Sequence, residues 1–434
     1  MSHFKFSMEM LKKEYKKSLV YIITLSLVTA ITFLFFNIID NPHLSSVPQE
    51  VSQWYYTQMP FSTMLSFLII VFCAFMIVFA NNFYISRKTK EIAIMTMSGS
   101  TFINITLYLF YQNIVMTFMA FIIGFLIGSG LSMGVNQLIY SYIHYQGSFF
   151  YIPINAIFDT SICVLSILFA QLVYTSGFVY RKDIAYLLSQ EKTNVLKDER
   201  IFKLPSITYI FIYLFGIVAL TLSLSYSSIS AIFPCFLSSL GVSGMIKYNF
   251  PQLFHYLKNK KWLSDKLKLV SISNLYYSLR RACSLVALYA VSSSVLIAIM
   301  IMQKDNPREL ITAFIGFIVV IILLLASIIY KYVMEAITRK TFFYNLYKIG
   351  YSYQQILMIM KQEVIFFYSI LLGLPMIVII ISITQAYLHQ DISLLFIMMI
   401  LGVQFITGII AGIFTYISYK NNILQVLKEG IRYE

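Results

Sequence analysis

The sequence predicts an all-α polytopic membrane protein, and two observations carry this prediction. Of the 434 residues, 59% are hydrophobic and only 12% are charged, with a mean hydropathy of +0.78. Soluble domains, in contrast, carry roughly 25% charged residues. The apolar runs, such as MLSFLIIVFCAFMIVFA at residues 64–80, are continuous. Because lipid admits only helices or closed barrels, and barrel strands alternate in polarity, the spans must be helices.

Apolar stretches of about 20 residues mark the membrane-crossing helices. The first stretch follows a basic segment, and no small-residue cleavage site closes it, so we expect no cleaved signal peptide. We predict ten spans, at residues 18–37, 61–83, 107–130, 158–180, 205–224, 229–247, 284–302, 311–332, 362–385 and 393–418.

The basic residues set the orientation of these spans. With the N-terminus inside, the predicted cytoplasmic segments hold 30 of the 32 lysines and arginines, and the outer loops hold only Lys304 and Arg308. This partition is typical of a membrane protein with both termini in the cytoplasm. The net charge of +14 is therefore interpreted as topology anchors that contact anionic membrane lipids, not as a nucleic-acid surface.

Two basic segments resemble each other across about 250 residues of sequence. RKTKEIAIMTMSG starts at Arg87 and reaches Gly99, while RKTFFYNLYKIG starts at Arg339 and reaches Gly350, so the shared RKT aligns Arg87 with Arg339. The sequences that enter and leave the flanking spans echo each other as well. We therefore predict two parallel repeats of four helices joined by two connecting helices, a 4 + 2 + 4 arrangement. The predicted divisions are residues 1–190, 191–265 and 266–434.

The segment KEIAIMTMSG has the pattern of a short helix at the cytoplasmic membrane interface. It starts with charged residues, continues with apolar Ile92, Ile94, Met95 and Met97, and breaks at Gly99 before the next span. Such a helix is anchored by lipid headgroups. Two interpretations stay open: a plain lipid-surface helix, or an element that receives force from a soluble partner and passes it to two spans.

The pattern of this region resembles the FtsX/MacB-like permease superfamily: a span, basic residues, KEIAIMxxxG and then a further span. Members of that superfamily read something like RxxEIGxLRAxG at this place. The C-terminal ILQVLKEGIRYE also resembles the family's tail, at Leu427 and residues 432–434. The chain departs from the pattern at residues 93, 95 and 96, and its second copy lacks the glutamate. The matching positions are Arg87, Lys88, Glu91, Ile92, Ile94 and Gly99.

The 4 + 2 + 4 order resembles the bacitracin- and lantibiotic-resistance (BceB-type) permeases of Gram-positive bacteria. That group carries a large extracellular domain between spans seven and eight, where this chain has only QKDNPREL, residues 303–310. The resemblance implies a multi-pass protein of the bacterial plasma membrane. It also implies a cytosolic ABC ATPase, as a dimer, that docks on the inner segments, and a histidine kinase as a further candidate partner.

We accordingly expect the ATPase to contact the first basic segment most strongly and residues 339–350 more weakly. Glu91 is the only acidic residue of its segment, so the charge reversal Glu91→Lys is the sharpest test of ATPase docking: it would replace attraction by repulsion if Glu91 meets a basic groove. Glu335 lies one helical turn from Arg339 and can pair with it instead. The predicted coupling residues are Arg87, Lys88, Glu91, Ile92, Ile94 and Gly99 in the first segment, and Arg339, Lys340 and Gly350 in the second.

The sequence offers no motif for nucleotide, metal or catalysis. No G-x-x-x-x-G-K-[ST] occurs, and the four cysteines and five histidines are scattered without ligand spacing. Asp159, Lys361 and Glu363 lie near predicted span ends, and ion-coupled transporters usually need charges deeper in the membrane. We therefore expect no cofactor, metal site or catalytic residue, and ATP hydrolysis in a separate subunit.

Small residues at four-residue spacing mark two helix-packing faces. Gly124 and Gly128, and likewise Gly408 and Gly412, are G-x-x-x-G pairs that permit close helix contact. Packing within the chain is favoured over a subunit interface.

Three functions compete at this stage. The leading one is the membrane subunit of an ABC complex that exports, or protects against, membrane-active peptides or lipid-linked antibiotics. The alternative is a regulatory membrane protein through which an ATPase cycle controls a sensor kinase or a cell-wall hydrolase without transport. An unrelated secondary transporter is the third and least favoured.

Overall fold

The computed structural model describes residues 3–13, 15–41, 61–143, 147–181, 205–223, 232–260, 265–302, 307–388 and 392–432. These residues form helices and short turns, with no strand among them, which confirms the predicted all-helical class. The helices are α1 His3–Lys13, α2 Tyr15–Asp40, α3 Phe61–Arg87, α4 Thr89–Met97, α5 Phe102–Ile143, α6 Ile154–Arg181, α7 Ile207–Ser223, α8 Ile232–Gly244, α9 Phe250–Lys260, α10 Lys266–Met302, α11 Pro307–Thr338, α12 Lys340–Lys348, α13 Tyr353–Leu388 and α14 Leu394–Arg432.

Seven helices of the described chain are long and apolar enough to cross a membrane, namely α2, α5, α6, α10, α11, α13 and α14. Two shorter apolar segments, Leu65–Val78 in α3 and Ile207–Leu222 in α7, accompany them. A π-helical turn, Met245–Asn249, joins α8 to α9. The helices support a multi-pass membrane protein, and the count of ten spans stays a prediction.

Several helices extend well past the spans predicted from sequence. α5 has 42 residues and continues to Ile143, so much of the predicted outer loop at residues 131–157 is helical. α13 likewise starts at Tyr353, nine residues before its predicted span. The predicted ends followed the thickness of the bilayer, whereas the helices continue because nothing in residues 131–143 stops them: no proline occurs there, and the only glycine is Gly134.

The chain divides into two compact units, Met1–Ile201 and Phe202–Glu434. In unit 1, α2 packs along α5 and against α3, and it also contacts α6, while α1 lies on α5. The close pairing of α2 with α5 depends on Gly124 and Gly128. A Cβ atom at Gly124 would overlap the Thr29 hydroxyl and come within 2.6 Å of the Ser26 carbonyl oxygen, and one at Gly128 would lie 2.9 Å from the Ala30 carbonyl oxygen.

Unit 2 repeats part of this order and adds a helical hairpin. α10 packs along α13 and α11, and α14 packs against α11 and α13. Helices α7 and α8 pair with each other and contact α10 and α13. Gly408 of α14 faces Leu372, where a Cβ atom would lie 2.7 Å from Cδ1, whereas Gly412 has ordinary room beside Tyr368.

The closest backbone approach in the hairpin escaped the sequence analysis. A Cβ atom at Gly216 would lie 2.7 Å from the Ser238 backbone nitrogen, and one at Gly241 would lie 2.7 Å from Tyr213 Cα. Gly216 and Gly241 therefore let α7 and α8 meet nearly backbone to backbone. They sit on different helices, so no spacing within one helix could have revealed them.

Candidate coupling site at the two helical shoulders

Each unit contains a short helix held between two long ones, and we call these segments the shoulders. The first shoulder is residues 87–100, where α4 follows α3, and the second is residues 338–351, where α12 follows α11. Both short helices have nine residues. α4 contacts α3 and α5, and α12 contacts α11, α13 and α14. Each shoulder is thus positioned by the long helices on both sides of it.

A glycine ends each shoulder with the same backbone geometry. Gly99 has φ +83° and Gly350 has φ +105°, a region that side chains other than glycine rarely adopt. The Gly99 and Ser100 amides donate to the carbonyls of residues 96 and 95, at 3.1 and 3.0 Å. The Gly350 and Tyr351 amides donate to residues 347 and 346, at 3.0 and 3.2 Å. Both ends are therefore Schellman caps, which turn the chain sharply into the next long helix.

These caps correct the register of the repeat. Counting eleven residues back from each capping glycine gives Lys88 in the first shoulder and Arg339 in the second, and each is the single residue between a long helix and a short one. The sequence comparison had aligned Arg339 with Arg87, which is the last residue of α3. The shared RKT letters caused this one-residue error, because in the second copy they sit one position later relative to the helix break.

In the first shoulder, Lys88 and Glu91 form an internal ion pair. Lys88 Nζ lies 2.8 Å from Glu91 Oε2, with side chains only 3% and 18% exposed. The Tyr108 hydroxyl of α5 donates to the same oxygen at 2.9 Å, and the Lys88 ammonium lies 5.7 Å from the ring centre of Tyr84 on α3. The Glu91 carboxylate is therefore used within the unit, and its predicted contact with an ATPase stays a prediction.

The apolar residues of α4 divide between two faces. Ile92 and Ala93 are fully buried and join a small core with Ile105, Tyr108 and Leu109 of α5. Ile94 and Met97, one turn apart, are 64% and 67% exposed. Ile92 thus holds the shoulder to its own unit, while Ile94 and Met97 form an outward apolar surface.

The second shoulder presents different chemistry at the equivalent positions. Phe343 corresponds to Ile92 and is also fully buried, but Asn345 and Lys348 stand where Ile94 and Met97 do, and both are exposed. The two shoulders are therefore alike toward their cores and differ at these two outward positions. Lys340 is the first residue of α12.

A buried ion pair fixes the second shoulder. Arg339 Nη1 lies 2.8 Å from Glu363 Oε1 of α13, and the Glu363 side chain has no solvent exposure. The Ser278 hydroxyl of α10 donates to Glu363 Oε1 at 2.7 Å, and the Tyr419 hydroxyl of α14 donates to Oε2 at 3.2 Å. Arg339 also donates to the Asn274 carbonyl at 3.4 Å. One carboxylate thus connects the shoulder with three long helices.

Aromatic rings surround this ion pair. Tyr332 of α11 lies 4.8 Å from the ring of Phe367 on α13 and 6.2 Å from that of Tyr419 on α14. Phe343 of α12 lies 5.8 Å from Tyr419, edge to face. Such packing keeps water away from the pair. Charge-assisted hydrogen bonds are stronger in the interior of a protein than in water.

Unit 1 has a neutral counterpart to Glu363. Gln112 is the eleventh residue of α5, as Glu363 is of α13, and it too is fully buried. The Tyr84 hydroxyl donates to Gln112 Oε1 at 2.8 Å, and Gln112 Nε2 donates to the Ser7 carbonyl of α1 at 3.2 Å. The sequence analysis named Glu363 only as a charge near a span end and did not single out Gln112. The available signal was a polar residue thirteen positions after each capping glycine.

Comparison with known families addresses the first of these units. Residues 63–183 match the FtsX-like permease C-terminal family. This region is therefore similar to the FtsX-like permease domain. No curated protein matches the chain. The FtsX-like domain covers α3 to α6 and contains the whole first shoulder, from Arg87 to Gly99.

The FtsX-like domain supports the coarse assignment made from sequence. Proteins with such domains are membrane components of ABC-type systems that generally work with a cytosolic ATPase and are not themselves catalytic. Among the residues that the structure describes, no group of three or more histidine, cysteine, aspartate or glutamate side chains is arranged to hold a metal ion.

Proposed function

We propose that this protein is the membrane subunit of an ABC complex and that the first shoulder passes ATPase movement to the transmembrane helices. One observation carries the proposal. Within the FtsX-like domain, α4 is fixed internally by Ile92 and the Lys88–Glu91 pair while it exposes Ile94 and Met97 outward. A short helix that is fixed on one face and apolar on the other is suited to receive a partner.

The connections of α4 explain how movement would spread. Its N-terminal end joins α3 through one residue, and its C-terminal end joins α5 through the Gly99 cap. The Tyr108 hydrogen bond to Glu91 adds a side-chain link to α5. A displacement of α4 would therefore move both long helices together, because no flexible linker separates them.

The two shoulders would contribute unequally. Ile94 and Met97 offer apolar area to a partner, whereas Asn345 and Lys348 offer polar and charged groups at the equivalent positions. Buried aromatic and aliphatic anchors carry most binding energy in interfaces, and rim charges carry little. We infer that an ATPase dimer binds the first shoulder more tightly than the second, with both shoulders in the cytoplasm.

The cargo proposal rests on family resemblance alone. We propose that the 4 + 2 + 4 arrangement serves export of, or protection against, antimicrobial peptides or lipid-linked antibiotics in the plasma membrane of a Gram-positive bacterium. The regulatory alternative uses the same shoulders to control a sensor kinase or a cell-wall hydrolase. The two differ in one measurement: added peptide stimulates ATP hydrolysis by the complex only if peptide is the cargo.

The first test concerns the outward face of α4. The tagged chain is purified from its own cell membranes, and vanadate-sensitive ATP hydrolysis is measured in the eluate. We expect Ile94→Glu to reduce the copurified activity about tenfold or more, because a charge replaces an apolar anchor. Asn345→Glu, at the equivalent exposed position of the second shoulder, is the matched control and should reduce it less than about twofold.

Each result has a clear reading. Wild-type protein that brings down no ATP hydrolysis contradicts the assignment to an ABC complex. Equal losses for Ile94→Glu and Asn345→Glu contradict the unequal roles of the shoulders but leave the complex intact. Both variants must match the wild type in yield and in gel-filtration profile, which shows that the chain still inserts and folds.

A further inference from the structure

The end of unit 1 opposite its shoulder carries a polar cluster contributed by three helices. The Asn41 side-chain amide donates to the Tyr140 hydroxyl at 3.0 Å, which brings the ends of α2 and α5 to one level. Asp40 of α2 and Asp159 of α6 are close enough for their charges to interact. We call the following residues the far-end cluster: Asn37, Asp40, Asn41, Asn136 and Asp159.

Several buried polar atoms of this cluster have no hydrogen-bond partner among the residues that the structure describes. Asn37 has no solvent exposure, and within the described chain neither its Oδ1 nor its Nδ2 is hydrogen-bonded. Asp40 Oδ2 and Asn136 Oδ1 are also buried and unpaired. Native proteins rarely leave such groups unsatisfied, and each exception calls for an explanation such as a bound ligand.

The face of α2 that bears Asn37 is directed into the cluster. Asn37 precedes Asp40 and Asn41 by three and four residues, so all three lie on one side of the helix. Helical side chains lean toward the N-terminus, which tilts Asp40 back over Asn37. Asn41 contacts α5 through its hydrogen bond to Tyr140, and the charge of Asp159 on α6 acts on Asp40, so this side faces the junction of the three helices.

The sequence supplies no lysine or arginine near this end of the unit. None occurs between residues 18 and 86 or between residues 91 and 180. Arg181 ends α6, 22 residues after Asp159, or about 33 Å along the helix axis. The two carboxylates therefore have no lysine or arginine in these stretches to balance them.

We propose that the far-end cluster binds a primary ammonium group. A protonated primary amine carries one positive charge and three N–H donors, which suits two carboxylates and the unpaired oxygens of Asn37, Asp40 and Asn136. A quaternary ammonium lacks the donors. Calcium, which takes six to eight oxygen ligands that can include water, is the competing cation, and the titration described below distinguishes it from the amine.

Neighbouring aromatic residues suit an apolar tail on the amine. Asn136 Nδ2 donates to the Tyr151 carbonyl at 3.3 Å, which holds the segment before α6 beside the cluster. In that segment Phe149 and Phe150 are 41% and 62% exposed and contact each other at 4.8 Å. The ligand class is therefore an amphiphilic primary amine, either the ethanolamine headgroup of a lipid or a free alkylamine. The inference goes beyond the proposed function, because it needs no ATPase.

The test uses the purified full chain in detergent and calorimetric titration with hexylamine at neutral pH. We expect saturable binding to the wild type, and binding about tenfold weaker for hexyltrimethylammonium, which has no N–H donor. The pair Asp40→Asn and Asp159→Asn together should weaken hexylamine binding by about tenfold or more. Asp265→Asn removes one carboxylate outside unit 1 and should leave hexylamine binding unchanged.

Asn136→Leu is a second variant that removes an acceptor without changing the charge, and it should weaken binding as well. Titration in nanodiscs of phosphatidylcholine, with and without phosphatidylethanolamine, separates the sources. Competition by phosphatidylethanolamine assigns the site to a lipid headgroup, and no competition assigns it to a free amine. The proposal is overturned if hexylamine does not bind, if both amines bind equally, if the variants bind like the wild type, or if calcium chloride displaces the amine.

Discussion

Glu363 is a carboxylate without solvent exposure, and Arg339 balances its charge at 2.8 Å. Burying two charges is expensive, and the attraction between them offsets that cost only when further hydrogen bonds satisfy the remaining atoms. Ser278 and Tyr419 supply such bonds to the carboxylate, and the Asn274 carbonyl accepts one from the guanidinium. The pair therefore acts as a geometric constraint: it fixes where the second shoulder sits on α10, α13 and α14.

Removing one partner of this pair should be costly. Arg339→Met leaves the Glu363 charge buried and unbalanced, so we expect a loss of about 3–5 kcal/mol in the free energy of unfolding. Adding Glu363→Met should recover part of the loss, since no uncompensated charge remains. The measurement is the midpoint of unfolding in mixed detergent micelles. Lys268→Met removes an exposed ion pair with Asp265 and should not shift the midpoint, so an equal shift there would refute the argument.

The neighbours of Glu91 in the first shoulder change how a substitution at this residue can be interpreted. A Glu91→Lys substitution would place two ammonium groups where Lys88 Nζ and Glu91 Oε2 now lie 2.8 Å apart, and it would take the acceptor from Tyr108. If that variant lost its partner protein, the loss could come from a disrupted shoulder or from a lost contact, and the experiment would not distinguish the two. Ile94 is the better position because its side chain is 64% exposed.

At the scale of elements, each shoulder is a nine-residue helix between a one-residue link and a Schellman cap. An isolated helix of this length is marginal in water. Its stability comes from Ile92 and Ala93 in the first shoulder and from Phe343 in the second, which are fully buried against the long helices. The shoulders are therefore extensions of the long-helix packing and not independent surface helices.

The caps can be tested by adding one methyl group. Gly99→Ala should destabilise the chain by about 1–2 kcal/mol, because φ +83° is unfavourable for a residue with a Cβ atom. Open space surrounds the position, so no clash contributes. The measurement is the thermal unfolding temperature in detergent.

Gly130→Ala is the control for this substitution. Gly130 also has open space around it, but it lies inside α5 with helical backbone angles, so alanine should stabilise the chain by up to about 1 kcal/mol. Shifts of the same sign at both positions would contradict the role assigned to the cap.

The sidedness of the spans follows from the distribution of basic residues along the chain. The prediction that both shoulders are cytoplasmic rests on 30 of the 32 basic residues falling in the predicted inner segments. Ser148, in the segment before α6, and Asn345, in the second shoulder, are both exposed in the structure and are predicted to lie on opposite sides.

Cysteine labelling of intact cells decides the orientation. Ser148→Cys should react with a membrane-impermeant maleimide from outside, whereas Asn345→Cys should react only after permeabilisation. The wild-type chain gives the background of its four cysteines, which are buried or half-buried. Labelling of Asn345→Cys in intact cells would show that the topology is opposite to the prediction. It would also remove the basis for an ATPase at the shoulders.

The sequence alone was sufficient for the long apolar helices and for the location of both shoulders. Continuous hydrophobicity and basic flanks are local signals, and a glycine after a short amphipathic run predicts a cap. It could not determine the inward face of α4. Ile92 and Ile94 are both apolar and lie about 200° apart around the helix, so only contact with Ile105 and Tyr108 of α5 decides which one is buried.

The ion pairs were harder to anticipate for a similar reason. Arg339, in the link between α11 and α12, and Glu363 of α13 are 24 residues apart, and sequence placed Glu363 at a span end, where charges are ordinary. The partner of Glu363 depends on how α12 packs against α13. The pattern of residue types along the chain does not determine this packing. The predicted register of the repeat was wrong because it aligned identical residue types, whereas the equivalent positions are set by the backbone geometry.

The length of α5 has a mechanical consequence. At about 1.5 Å per residue, its 42 residues form a rod of about 63 Å, roughly twice the thickness of the hydrocarbon core. The Gly99 cap joins one tip of this rod to the first shoulder, and the far-end cluster lies near the other. A rod of that length works as a lever arm: a rotation of about 5° about one tip displaces the other by about 5 Å, since the helix rise fixes its length. A small rotation of α5 at the shoulder would thus produce a larger displacement at the opposite end of unit 1.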